Sequence, residues 1–312
     1  MCKSRALELV KINLVIGLTG LLSAGTSALG TEDKGIETLL DAKRASNSIG
    51  NNAPTTKNLQ DRMFALAGEH PIRSATELNK QLNLHPNSAD LLLQLGEAYF
   101  LEGDADNAFE NFHKALASDP KCAQAHIGLS RVYFGLGRNA KGFEELQKAV
   151  KEGNKDVASS ALWESAFMHQ NLGQPELALS DYDKAFERGL SGKLKVSTAL
   201  LERAEAYLKL HKRELALADL DESIKLEPNE LLARKDRANV LRELNRNKEA
   251  LEDLNACLEI CKKYSPNWLG KILAQRANLY RIMGRNDLAA KDEQAMKSSQ
   301  ADDYSIMPFQ SR

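Results

Sequence analysis

Ala89-Asp-Leu-Leu-Leu-Gln-Leu-Gly-Glu-Ala-Tyr99 opens a stretch that closes on Ala115-Leu-Ala-Ser-Asp-Pro120. Leu92, Leu95 and Tyr99 recur three and four residues apart, which places them on one helix face beside the small residue Gly96. Twelve residues after Gly96 stands a second small residue, Ala108, followed by Phe112 and Ala115 at the same helical spacing. Between the two small positions lies Gly103, free to adopt the left-handed conformation that ends a helix in a tight turn. The pattern predicts two antiparallel helices that approach closely where side chains are smallest.

The pattern returns along the chain. First-helix small residues stand at Gly96, Ser130, Ala166, Ala204, Ala238 and Ala277, and twelve residues after each come Ala108, Gly142, Ala178, Ala216, Ala250 and Ala289. The interior spacing is constant, whereas the copies lie 34, 36, 38, 34 and 39 residues apart. A rigid helix pair joined to its neighbours by tolerant loops gives this result. Turn positions carry Gly103, Gly137, Gly173, His211, Asn245 and Gly284, all residue types found at positive φ. Each pair alone can bury only one face, so neighbouring pairs must stack to complete a core.

On Leu92, Leu95, Gly96, Tyr99, Ala108, Phe112, Ala115 and Pro120 the chain resembles the tetratricopeptide repeat family. The resemblance covers 89–298, with copies starting near 89, 123, 159, 197, 231 and 270. It implies an all-α fold, a right-handed α-solenoid of antiparallel helix pairs. Arg203, Arg237 and Arg276 depart from it, standing where the family prefers Leu. Residues 56–88 read as a degenerate leading copy, through Phe64, Leu66, Leu78, Leu82 and Pro86. The last helix is polar, as suits a solvated cap, and 299–312 form a tail.

Across 312 residues the apolar types AVILMFWYC make up 43%, and 42 basic against 43 acidic residues leave a formal charge of −1. That composition suits a globular chain and argues against a nucleic-acid binder, which needs a basic face to neutralise phosphates. Ahead of the repeats, Lys3, Arg5 and Lys11 precede the apolar run Ile12 to Ala24, with small residues to Gly30. This order predicts a secretory signal peptide over 1–30, the alternative being an uncleaved anchor through 12–29. The polar stretch 31–55 reads as a flexible linker.

Chemistry-bearing motifs are missing from the sequence: it holds no phosphate-binding glycine loop, no G-x-S-x-G, no H-E-x-x-H and no paired CxxC. Catalytic residues, cofactor and metal ligands are therefore all expected to be none. His169 takes a packing position and His211 a turn position. Cys257 and Cys261, one turn apart, read as buried small residues, since helix geometry sets them too far apart for an unstrained disulfide. Asp181 and Asp183, like Asp219 and Asp221, stand two apart on second helices and read as a solvated outer surface.

The resemblance implies that first helices line a concave groove. By register, its front half holds Leu93, Phe100, Ile127, Phe134, Trp163 and Phe167, and its back half Lys209, Lys235, Asn239, Arg242, Lys271 and Arg281. Apolar groups facing solvent call for an occupant: a protein or peptide partner, or the chain's own leader or tail. A partner with an apolar segment and an acidic end matches both halves. Lys235 and Asn239 also repeat a pair that some family members use to clamp a terminal carboxylate, but Gln275 stands where Asn would complete the set. The expected function is a non-catalytic scaffold outside the cytoplasm, secreted or periplasmic. Structural or chaperone-like assembly of the cell envelope is the alternative.

Overall fold

A computed structural model describes residues 73–305. The expected signal segment, the linker, Phe64, Leu66 and residues 306–312 lie outside the described residues. Within them run thirteen α-helices and one 3₁₀ turn, and there is no strand. Helix α1 spans Ala75–Leu82, and six antiparallel pairs follow. They are α2 (Ala89–Glu102) with α3 (Ala105–Ser118), α4 (Ala123–Gly135) with α5 (Asn139–Glu152), and α6 (Lys155–Asn171) with α7 (Pro175–Glu187). Then come α8 (Lys193–Lys209) with α9 (Arg213–Leu226), α10 (Leu231–Glu243) with α11 (Asn247–Tyr264), and α12 (Leu269–Ile282) with α13 (Asn286–Ser305). The chain is an all-α solenoid: each pair packs internally, and each second helix packs on the next first helix. Among the described residues no helix is long and apolar enough to cross a membrane.

Three boundaries differ from the sequence register. Helices α6 and α8 begin at Lys155 and Lys193, four residues ahead of the copy starts read at 159 and 197. Asn154 sets the earlier start of α6, its side chain accepting from the Val157 amide at 3.0 Å. Helix α13 continues to Ser305, through residues expected to leave as a tail.

Every turn position named from sequence lies at positive φ, from 57° at His211 to 83° at Gly103. At the crossing points, small residues are required by what faces them. A Cβ built on Gly96 would stand 2.6 Å from the Phe112 ring, and one on Gly142 would stand 2.7 Å from Phe134. Gly128 of the next first helix presses the same Phe112 ring from the other side. Phe112 therefore fills the space between two first helices and joins copy to copy. In later copies alanines replace these glycines: Ala166, Ala204, Ala216 and Ala250 are all fully buried. Tyr182, Leu220 and Leu254 take the place of the phenylalanine. Cys257 and Cys261 are buried free thiols, as their spacing implied.

The three arginines that break the family pattern have a common explanation. Arg203 Nε and Nη2 donate to both oxygens of Asp219 at 2.8 and 2.7 Å, while Nη1 donates to Asp183 of the preceding copy at 2.8 Å. Arg237 repeats this with Asp253 and Asp221. Arg276 repeats it with Asp292 and Asn255. Each guanidinium thus ties its own second helix to the one before. The reading of the aspartate pairs as solvated is corrected in part: Asp219 is buried because Arg203 neutralises it, whereas Asp183 and Asp221 are exposed. Asp181 is half-buried and accepts from Ser165 at 2.6 Å. Aromatic packing binds the front of the array, and a ladder of ion pairs binds the back.

Candidate partner-binding surface

The first helices α2, α4, α6, α8, α10 and α12 form one layer of the solenoid. Direct contacts join α2 to α4, α4 to α6 and α6 to α8, but are sparse between α8 and α10 and between α10 and α12. A first helix held by both neighbours and by its own partner has three sides covered, and only a narrow strip remains open.

That geometry changes the front half of the expected groove. Phe100, Ile127, Phe134 and Trp163 are buried, at 2, 8, 0 and 3% exposure, in packing between copies. They offer no apolar surface to solvent. Leu93 and Phe167 are half-buried against the same core. Trp163 is tied down further, its Nε1 donating to Glu202 Oε2 at 2.6 Å. The Tyr182 hydroxyl lies 3.2 Å from Gln170 Oε1 and 3.4 Å from Glu202 Oε2, and Gln170 Nε2 donates to Glu205 at 2.9 Å. Arg131 Nε donates to the buried Glu164 at 2.9 Å. The middle of this layer is therefore a polar network with acidic members. Its acids Glu164 and Glu202 share a register position with Gln275, two residues before the small residue of the first helix, but only their partners on neighbouring copies show them to be buried.

Glu205 sits where acids converge. Its carboxyl is pushed up to about 7, first by burial and then by Asp236 and Glu202, against the pull of Lys209 and Lys235. The residue as a whole is exposed, so solvent screens part of this effect.

The basic half lies open. Lys209, Lys271 and Arg281 are exposed, and Lys235, Asn239 and Arg242 are half-buried. Lys209 Nζ lies 3.4 Å from the Gln170 carbonyl, and Lys235 pairs with Asp236 at 2.9 Å. Arg281 pairs with Glu293. Lys235 and Lys271 stand 5.6 and 4.4 Å from the centre of the Trp268 ring. Asn239 and Arg242 line an open cleft of ≈ 330 Å³ together with Gln275 and Asn278. The structure thus brings Asn239 and Arg242 together, and sets Lys235 and Lys271 around Trp268.

A solenoid of stacked helix pairs, with polar groups uncommitted on its inner layer, defines a protein-interaction scaffold. Models of the tetratricopeptide repeat match residues 99–162 and 201–265. The chain belongs to the tetratricopeptide repeat family. It is 27% identical over 119 residues to the protein CTR9 homolog of Arabidopsis thaliana, covering 38% of this chain and 11% of that protein. It is 31% identical over 100 residues to the BBSome complex member BBS4 of Bos taurus, covering 32% of this chain and 19% of that one. The matched stretches are thus less than a fifth of either relative's length. Among solved structures it is similar to PilW, a type IV pilus biogenesis factor, at a TM-score of 0.56 and 19% identity. That match covers 67% of this chain and 92% of PilW, and shows the fold alone.

Proposed function

We propose that this protein is a non-catalytic scaffold, exported from the cytoplasm, that holds a peptide or protein partner against the back half of its first-helix layer. The observation that carries this is the cleft between α10 and α12, in which Asn239, Arg242 and Asn278 have no side-chain partner among the described residues. The front half fills itself with its own aromatic side chains, and the back half does not. Export rests on the basic, apolar and small-residue order of residues 1–30, and a non-catalytic role on the missing catalytic motifs.

The test uses the full chain in its native compartment, with a photo-crosslinking residue placed either at Asn278, in the cleft, or at Glu252, exposed on a second helix. A partner captured from position 278 and not from 252 supports the reading; capture from 252 alone refutes it. N-terminal sequencing of the isolated protein tests export, a start between residues 25 and 32 supporting cleavage.

A further inference from the structure

The cleft has a definite chemistry. On α10, Lys235, Asn239 and Arg242 follow at intervals of four and three; on α12, Lys271, Gln275 and Asn278 do the same. Each set shares one helix face. Four of these side chains line the cleft, and among the described residues Arg242, Asn239 and Asn278 make no side-chain hydrogen bond or ion pair. Gln275 Oε1 is buried without a partner. A buried acceptor left alone is costly, and a chain bearing N–H groups would satisfy it. Two cations lack a carboxylate partner: Arg242 at one end, and Lys271, which meets only the Trp268 ring, at the other. Lys235 is already neutralised by Asp236.

Separation follows from register. Ala238 and Ala277 are equivalent positions, so Arg242 stands level with Arg281, ten residues along α12 from Lys271. Ten residues of helix rise about 15 Å. An extended segment covers about 13 Å in four residues, and residues four apart fall on the same side of it. Side chains of Lys and Arg bridge the remainder.

We propose that the cleft between α10 and α12 takes an extended acidic peptide segment, with two carboxylate side chains four residues apart, one on Arg242 and one on Lys271. Between them, the amides of Asn239, Gln275 and Asn278 pair with the ligand backbone. This rests on the reading of the first-helix layer as the partner surface and specifies what that surface recognises.

The probe is a phage-displayed library of random twelve-residue peptides, panned on the full chain. The expected result is enrichment of Asp or Glu pairs four apart. Arg242→Gln and Lys271→Gln should each erase one acidic position, and should weaken a synthetic consensus peptide about five- to tenfold in fluorescence anisotropy. Lys271→Glu should accept a peptide whose matching acid is changed to Lys, which keeps the test valid if a single variant is perturbed. Amidating the peptide C-terminus should change nothing. Enriched peptides without paired acids, affinity unchanged in both Gln variants, or dependence on a free C-terminus would overturn the proposal. A panning that enriches nothing would instead overturn the scaffold reading beneath it.

Discussion

Substituting Met for Arg203 keeps the length and apolar stem of the side chain and removes its guanidinium. Asp219, its carboxylate only 9% exposed, then loses two charge-assisted hydrogen bonds of 2.7 and 2.8 Å. Such bonds are worth about 1.5–3 kcal/mol each. The third bond, to the 52% exposed Asp183, adds less than about 1 kcal/mol. Met keeps part of the contact with Phe186, over whose ring the guanidinium lies at 4.5 Å. A net loss of about 3–5 kcal/mol follows, the usual cost of stranding one partner of a buried pair. Arg237→Met is the control. Asp253 is more deeply buried than Asp219, 2% exposed against 7%, but it retains Arg234 at 3.2 Å. Its loss should be about half as large.

Urea denaturation followed by circular dichroism gives the totals. Hydrogen exchange gives the location, since a repeat array need not unfold as one unit. Protection should fall first in α8 and α9. Arg203→Met combined with Asp219→Leu should recover most of the stability, because no carboxylate is then left unpaired. Equal losses for the two arginines, or a double variant as unstable as the sum of its parts, would refute the ladder as an account of how the back half is held.

His211 occupies a left-handed turn at φ 57°, so His211→Gly should raise stability by about 0.5–1 kcal/mol in the same urea assay; a loss would show that the imidazole matters there. Glu205 holds its proton up to about pH 7 in the fold and only to about 4.5 when unfolded, so stability should fall as pH rises through that window. Glu205→Gln should remove this slope, matching the native chain below 4.5 and exceeding it above 7; an ordinary carboxylate titration by NMR would refute the crowding. The Cys257 thiol is fully buried and pushed up to about 12, by burial first and then by Asp253. A thiol reagent at pH 8 should therefore label half-buried Cys122 in the native chain, and Cys257 and Cys261 only after unfolding.

Constant spacings were readable from sequence because they reflect rigid units. The twelve-residue interval between small residues follows from two helices crossing at fixed points, and the Phe112 ring between Gly96 and Gly128 shows why nothing larger fits. The turn residues were readable for a similar local reason, since backbone φ restricts residue type wherever the fold is. Contacts between copies were not readable. Arg203, Arg237 and Arg276 looked like departures from a pattern, although each has an acid sixteen residues later in Asp219, Asp253 and Asp292. That interval was present in the sequence all along, but it carries meaning only once both helices of a pair are set side by side.

The binding surface was half legible for the same reason. Register says which way a side chain points, not whether a neighbouring helix already stands there. At Phe100, Phe134 and Trp163 one does, and the space is filled. At Asn239 and Arg242 it does not, and a cleft stands open where the interval between copies is also the longest, 39 residues. Those extra residues lengthen α11 to 18 residues and add the short helical turn Pro266–Trp268 before α12. Interval length alone does not decide first-helix contact: α6 and α8, 38 residues apart in register, touch, whereas α8 and α10, 34 apart, meet as sparsely as α10 and α12. The same insertion supplies Trp268, against which Lys271 rests. Interval length is readable from sequence; how closely two first helices then approach is set by the packing between copies, which is not.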